Sequence, residues 1–207
     1  MQQSEKIEEL LLYFGEVLYS KGYDWKQQLF GLIITGDPIY IPTACRERAA
    51  EYSKEDYIDW LLSVFFAAGF KAEDSPKTAL EILAYVAEVF DKAGHDALSG
   101  LKRFIIEGDF YTVPNSRNAR CFIKKYDADT YVEALLDYAT SVTGLKRIRQ
   151  KEEARRQKEK DDRIKWLKEQ IIASENQLKH LGLFNMKEKA AHREVIKKHQ
   201  DELNKLL

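Results

Sequence analysis

The feature that most constrains this chain is an internal repeat with a spacing of 72 residues. When the chain is aligned with itself at that spacing, residues 16–42 match residues 88–114 at ten of 27 positions without a gap. The identical pairs include the helix-breaking residues Gly22/Gly94, Gly36/Gly108 and Pro42/Pro114. A period of this length indicates one supersecondary unit used twice, so both halves are expected to fold alike.

The match continues further if the first copy has a two-residue deletion after Arg48. Arg48 then pairs with Arg120, and Tyr57 falls on Tyr131. With this gap the repeated unit grows to about sixty residues.

Each copy is predicted to hold four helices. The first carries apolar residues at helical spacing and ends at Gly22 or Gly94. The second starts at a capping aspartate, Asp24 or Asp96, and stops at Gly36 or Gly108. A third, short helix is predicted from about Ala44 to Tyr52 and from Ser116 to Lys125. The fourth is expected to begin at the caps Ser53 and Asp127, and Thr78 is placed to cap the helix that opens the second copy.

Between the second and third helices, both copies carry a Gly-Asp motif followed by a proline. Residues 36–42 are Gly-Asp-Pro-Ile-Tyr-Ile-Pro, and residues 108–114 are Gly-Asp-Phe-Tyr-Thr-Val-Pro. Proline biases the preceding residue toward extended backbone, so an ordered extended connection is predicted. Asp37 and Asp109 have the pattern of turn formers, although carboxylates could also serve catalysis. Tyr40 and Tyr111 are interpreted as core anchors.

These patterns predict an all-α protein of four parts. Ten Gly and four Pro in 207 residues leave few breaks in the helices. We expect a first repeat at residues 1–70, a linker at 71–77, a second repeat at 78–143 and a charged helical tail at 144–207. Two copies on a short tether suggest a pseudo-twofold pair that buries what a homodimer of the unit would bury.

The first copy resembles the IreB family, small helical proteins of Gram-positive bacteria. The resemblance rests on Gly22-Tyr23 followed by the motif at residues 36–42, and the second copy is similar around residues 114–120. It implies a dimeric, helical regulatory protein that a membrane-bound Ser/Thr kinase phosphorylates on N-terminal threonines, with a role in cell-wall stress responses. Family members carry one unit, so this chain looks like a tandem duplication with an added tail. Residues 1–15 hold no threonine, and Ser4 and Thr78 are the similarly placed hydroxyls.

The repeat motif supplies the candidate binding residues. They are Gly36, Asp37, Tyr40, Pro42 and Arg48 in the first copy, and Gly108, Asp109, Pro114, Arg117, Asn118 and Arg120 in the second. Arg117 and Arg120 could hold a phosphate or a phosphopeptide, or else bind acidic helices of the same body.

The tail differs from the body in charge. Residues 145–207 hold 18 Lys+Arg and 11 Asp+Glu, a net charge of +7, whereas residues 1–144 carry −8. A basic patch is formed by Lys146, Arg147, Arg149, Arg155, Arg156 and Lys160. It could contact nucleic-acid phosphates, or it could be a solvated helix that docks on the acidic body.

Further along the tail, a heptad-like seam is predicted, interrupted by Ser174 and ended near Gly182. Its apolar members are Ile164, Leu167, Ile171, Leu178 and Leu181. A last helix, capped by Asn185, should carry Ala190, Val195, Ile196, Leu203 and Leu206. The resulting hairpin is interpreted as a docking or self-association element.

No enzyme motif, cofactor motif or metal-ligand spacing is recognised. His180, His192 and His199 are interpreted as solvated, and Cys45 and Cys121 as buried thiols. No signal peptide and no apolar run long enough for a membrane span is seen, so a cytoplasmic location without membrane insertion is expected. The function predicted is a non-enzymatic regulatory or adaptor protein that acts through a protein partner, and a nucleic-acid-associated protein is the alternative.

Overall fold

The computed structural model describes residues 2–115, 118–181 and 185–207. Within these ranges the secondary structure consists of ten α-helices and three 3-10 turns, with no strand. The predicted all-α class is therefore confirmed. The chain divides into two compact units, residues 1–149 (the body) and residues 150–207 (the tail unit). The predicted four-part division stays a prediction.

The body contains eight α-helices within its described residues, four in each half. The first half holds α1 (Gln2–Ser20), α2 (Trp25–Thr35), α3 (Arg46–Ala49) and α4 (Lys54–Ala67). The second half holds α5 (Ala79–Lys92), α6 (Ala97–Glu107), α7 (Ala119–Ile123) and α8 (Ala128–Val142). Short 3-10 turns lie at Pro38–Tyr40, Thr43–Cys45 and Phe110–Thr112.

Helices α2 and α6 begin and end at the residues that the sequence predicts. The Asp24 and Asp96 side chains accept hydrogen bonds from backbone N–H groups in the first turn of α2 and α6. Gly36 and Gly108 end these helices in the left-handed conformation, with φ of 69° and 68°. Glycine adopts this conformation without the steric cost of a Cβ atom.

The predicted caps of the following helices are also present. Ser53 and Thr78 each form a capping box, in which the acidic residue three positions later, Asp56 or Glu81, bonds back to the backbone N–H of the cap. Asp127 caps α8 through the backbone N–H of Thr130. Each cap satisfies donors that have no partner within the helix itself.

The extended connection predicted after Gly36 and Gly108 is wrong where 3-10 turns form. Residues Pro38–Tyr40 and Phe110–Thr112 form 3-10 turns. The φ angle of proline suits the first position of a helical turn, and the preceding aspartate caps that turn. Extended backbone is found on either side of these turns, at Asp37 and Ile41 in the first half and at Asp109 and Val113 in the second.

The third helix is shorter in both halves than predicted. Instead of Ala44–Tyr52, the chain has a 3-10 turn at Thr43–Cys45 followed by one turn of α3. The cap Ser53 needs extended backbone, with ψ of 168°, so the chain must leave the helix before it. In the second half α7 spans five residues, and Ser116, its predicted start, lies outside the described residues.

The two halves of the body pack reciprocally. Helix α1 packs on α2 and α4, and α5 packs on α6 and α8. Across the halves, α2 packs on α8, α6 packs on α4, and α4 packs on α8. Ion pairs join the same helix pairs, Lys26 with Asp137 and Lys102 with Asp59. This pattern suits the predicted pseudo-twofold pair, a relation that itself stays a prediction.

A buried tyrosine ties the short third helix to the fourth helix in both halves. The Tyr57 hydroxyl donates to the Ala49 carbonyl at 3.1 Å, and the Tyr131 hydroxyl donates to the Ile123 carbonyl at 3.0 Å. Burial raises the pKa of both phenols above the ordinary value of 10.0. These tyrosines therefore stay neutral hydrogen-bond donors at physiological pH.

The tail unit is a helical hairpin made from α9 (Lys146–His180) beyond residue 149 and α10 (Met186–Leu206). Arg163 pairs with Glu202, and the Trp166 ring contacts the His199 ring, so the two helices run antiparallel. The predicted seam is present in α9, because Leu167 and Ser174 are buried. Its predicted end, Gly182, lies outside the described residues.

The predicted apolar face of α10 is partly wrong. Ile196, Leu203 and Leu206 are half-buried, but Ala190 and Val195 are exposed. His192 and His199, interpreted as solvated, are half-buried instead. A heptad spacing counted from Ile196 places His192 and His199 in the seam. The two histidines are therefore half-buried where Ala190 and Val195 were predicted to be. Asn185 precedes α10 without a side-chain capping bond, contrary to its predicted role.

The prediction of two buried thiols holds for one cysteine. Cys45 is buried and Cys121 is exposed. Cys121 lies in the single turn of α7, where Ala119 and Ile123 face the core. A residue two positions away from a buried residue lies on the opposite face of a helix. Cys121, which is two positions from both Ala119 and Ile123, therefore faces solvent.

No helix in the described ranges is long and apolar enough to cross a membrane.

Helix capping should make the stability of the body fall in acid. Hydrogen bonds from Thr130, through its hydroxyl and its backbone N–H, lower the pKa of Asp127 below its ordinary value of 3.8. A carboxylate with a lowered folded pKa contributes stability above the unfolded value, and this contribution is lost as pH falls through the folded value. Asp127→Ala should therefore lower the urea midpoint at pH 7, and its difference from the wild type should shrink below about pH 4. Asp129→Ala makes the same charge change without removing the cap, and an equal loss in that variant would contradict the capping role.

Candidate binding site at the glycine-aspartate turns

The Gly-Asp motifs build the same turn in both halves of the body. The Asp37 carboxylate accepts a hydrogen bond from the Ile39 backbone N–H at 2.9 Å, and Asp109 accepts one from Tyr111 at 2.8 Å. Both aspartates are exposed. The predicted turn-forming role of Asp37 and Asp109 is therefore confirmed, and the same geometry accounts for the glycines beside them.

One arginine in each half binds the carbonyls of its turn. Arg46 donates through Nε to the Ile41 carbonyl at 3.1 Å and through Nη2 to the Ile39 carbonyl at 3.4 Å. In the second half, Arg120 donates to the corresponding carbonyls of Val113 and Tyr111 at 2.9 and 3.3 Å. The five donors of a guanidinium in a fixed plane suit it to bridge two carbonyls. Each arginine thus fixes the 3-10 turn against the short helix that follows.

The predicted pairing of Arg48 with Arg120 is wrong. Arg46 makes the bonds that Arg120 makes, so the two-residue deletion lies between Pro42 and Arg46 rather than after Arg48. Arg48 instead places its guanidinium over the Tyr13 ring, 5.2 Å from the centroid. The signal that could have identified Arg46 is its spacing, three residues before Ala49, as Arg120 stands three before Ile123.

The two roles predicted for Arg120 stay predictions. Its guanidinium bonds to the two backbone carbonyls and lies 5.4 Å from the centroid of the Tyr111 ring. Asn118 has a left-handed backbone, with φ of 56°, and makes no side-chain capping bond. Asparagine is among the residues that tolerate this conformation. Arg117 lies outside the described residues.

Of the two tyrosines predicted as core anchors, only Tyr40 packs on the core. The Tyr40 ring lies against Gly31 on α2, where any Cβ atom would overlap it. Tyr111 is 66% exposed, so that prediction is wrong. Tyr111 corresponds to Ile39, which is 62% exposed, rather than to Tyr40. The turn therefore presents one large apolar side chain to solvent in each half.

A groove of about 470 Å³ opens beside the first-half turn, between that turn and the corner that joins α1 to α2. We call it the first-half groove. Leu18, Tyr23, Ile39 and Pro42 supply apolar lining, and two cations, Lys21 and Arg46, also line it, as do Gln28 and Tyr40. Of the predicted site residues in this half, the structure brings Tyr40 and Pro42 to the groove. Gly36, Asp37 and Arg48 are not among its lining residues.

The tail basic patch lies along one helix, and part of its charge is paired. Arg156 pairs with Glu152 at 2.6 Å, and Arg155 pairs with Glu159 at 3.6 Å. Both pairs join residues one turn apart, which is a common arrangement on solvated helices. Lys146, Arg147, Arg149 and Lys160 are exposed. Neutralised arginines contribute less to phosphate binding than isolated ones, so the geometry favours a solvated helix.

No cluster of three or more His, Cys, Asp or Glu side chains in the described residues could hold a metal ion.

Comparison with known proteins supports the resemblance for the first half. Residues 1–67 match the family model described as IreB regulatory phosphoprotein. The match spans α1 to α4, which includes the first-half turn and the groove beside it. This part of the chain is thus similar to a family of regulatory proteins. No solved structure matches the chain.

The two turn-binding arginines should stabilise the body more than Arg48 does. Arg46→Met and Arg120→Met each remove bonds to two carbonyls, so each should lower the unfolding free energy by about 1–2 kcal/mol. Arg48→Met removes only an exposed contact with a ring and should cost less than about 0.5 kcal/mol. Urea unfolding, followed by the fluorescence of the buried Trp25 and Trp60, measures all three. A larger loss for Arg48→Met than for Arg46→Met would contradict the revised pairing.

Proposed function

We propose that this chain is a non-enzymatic regulatory or adaptor protein that acts through protein–protein contacts. The observation that carries the proposal is the match of residues 1–67 to a regulatory family, in the half of the body that holds the first-half groove. Regulatory proteins without chemistry of their own act by presenting a surface to a partner. A concave surface that combines apolar and cationic side chains is suited to this role.

Two exposed apolar side chains at the groove support the proposal. Tyr23 is 55% exposed and Ile39 is 62% exposed, and both line the groove. Exposed large apolar side chains grouped at a concave surface are typical of interaction sites rather than of solvated faces. Tyrosine is also among the residues enriched at protein interfaces.

The architecture of the body fits the same role. We propose that its halves are two diverged IreB-like units joined in one chain, so that each unit finds its partner without a second copy. The ion pairs Lys26–Asp137 and Lys102–Asp59, which join the halves reciprocally, support this. A body of this kind would present its surfaces at any concentration, since no assembly step precedes binding.

The tail hairpin is proposed as a second docking element. Ile172 is 56% exposed and Val195 is 41% exposed, and α10 has no buried residue within its described part. A helix that buries so little of its surface gains little stability from packing. We propose that a protein partner, or a second copy, covers this hairpin, in a cytoplasmic setting.

Affinity capture with the tagged full-length chain tests the regulatory role. We expect at least one protein to be retained and, after purification, to bind in a saturable way with a dissociation constant in about the micromolar range or below, as calorimetry would measure. The control is an unrelated helical protein of similar charge that carries the same tag. If no protein is retained above that control, or if the retained protein does not bind when purified, the proposal is wrong.

The basic patch should not make this chain a nucleic-acid-binding protein. Because Arg155 and Arg156 are paired with carboxylates on the same helix, a 20-base-pair duplex should show no binding by fluorescence anisotropy at about 50 mM salt. Glu152→Gln and Glu159→Gln provide the matched comparison, since these changes remove the carboxylates that pair with Arg156 and Arg155. Binding by the wild-type chain that weakens steeply with added salt would restore the alternative function.

A further inference from the structure

The corner beside the first-half groove is packed differently at the corresponding place in the second half. The corner between α1 and α2 and the corner between α5 and α6 contain the same backbone hydrogen bond. The Tyr23 N–H donates to the Leu18 carbonyl, and 72 residues later the His95 N–H donates to the Phe90 carbonyl. Leu18 therefore corresponds to Phe90.

At this spacing, the groove residue Gln28 corresponds to Gly100. The Phe90 ring lies directly against Gly100, so close that a Cβ atom there would overlap it. The larger ring takes the space of the missing side chain, and we call this arrangement the filled corner. The first half, with Leu18 and Gln28, has an open groove instead.

The charge of the groove is opposite to that of the body around it. Lys21 and Arg46 line the groove, and none of its described lining residues carries a carboxylate. The body, residues 1–149, holds 18 Lys+Arg and 23 Asp+Glu, a net charge of −5. An acidic ligand would be repelled by the net charge of the body and attracted by the two cations of the groove, which favours a specific orientation.

The position of one of these cations is fixed before anything binds. Arg46 is held by the carbonyls of Ile41 and Ile39, so its guanidinium loses little freedom when it meets a carboxylate. Preorganised charge of this kind binds with a smaller entropic cost than a free side chain does. Tyr23 and Ile39 lie beside it as exposed apolar surface.

From these observations, and resting on the proposed function, we propose that the first-half groove binds an acidic peptide segment of a partner protein. Carboxylates of that segment pair with Lys21 and Arg46, and an apolar side chain packs on Tyr23 and Ile39. In the second half Phe90 packs on Gly100 at the corresponding corner, so the proposal is one such segment per chain.

The proposal is tested by titrating the ¹⁵N-labelled full-length chain with two synthetic twelve-residue peptides. One is composed of glutamate, leucine and glycine, and the other has glutamine in place of glutamate. We expect the acidic peptide to shift the backbone amide signals of Lys21, Tyr23 and Thr43. The glutamine peptide should bind at least about tenfold more weakly, since it lacks the charges. Equal affinity for both peptides, no binding of either, or shifts confined to other surfaces would overturn the proposal.

Two variants of the full chain separate the charge from the shape of the groove. Lys21→Glu should weaken binding of the acidic peptide by about fivefold to tenfold, whereas Lys71→Glu, the same charge change on an exposed linker residue, should leave it unchanged. The double change Leu18→Phe with Gln28→Gly gives the first half the filled corner of the second half and should abolish binding. An unchanged circular dichroism spectrum shows that each variant is folded. Wild-type affinity in the filled variant would overturn the proposal.

Capture of a partner with the Lys21→Glu chain distinguishes a failure of the groove proposal from a failure of the proposed regulatory function. If a captured partner binds the Lys21→Glu chain as well as the wild type, the groove is not its site and this inference fails while the regulatory role stands. If capture retains no protein, the regulatory role itself fails. Association of two chains through the groove, seen as a concentration-dependent mass by light scattering that Lys21→Glu removes, would also overturn the inference.

Discussion

Reciprocal burial between the two halves is the constraint on which the rest of the body depends. Helices α2 and α6 have 11 residues each, a length at which an isolated helix is marginal in water. They persist because each packs on helices of both halves, α2 on α1, α4 and α8, and α6 on α5, α8 and α4. The arginine-bound turns then fix where each short helix ends and the next begins.

Much of the fold could be predicted because its determinants are local. A capping aspartate or a left-handed glycine acts within four residues, so Asp24, Thr78 and Gly108 could be assigned their places from the sequence. The part that could not be predicted depends on how the two copies of the repeat are aligned with each other. The position of the two-residue deletion decides whether Arg46 or Arg48 corresponds to Arg120, and the hydrogen bonds to the turn show that it is Arg46.

The candidate site shows the same division. Within the motif at residues 36–42, Gly36 and Asp37 shape the turn and are not among the residues that line the first-half groove. The groove is formed by residues from α1, α2 and the turn, whose convergence requires the tertiary structure. Likewise, Tyr111 is exposed because it corresponds to Ile39, which is also exposed. The sequence suggested Tyr40 as its counterpart, because both are tyrosines.

The filled corner formed by Phe90 and Gly100 has an evolutionary consequence. In an assembly of identical subunits, every substitution appears at two symmetric places, and a change that helps one can harm the other. Copies encoded in tandem escape this coupling, so one corner can specialise as internal packing while its sister stays accessible. Under the duplication and the peptide site proposed above, this molecule would lose symmetry in its recognition surface while keeping the burial between its halves, and its valence would drop from two to one.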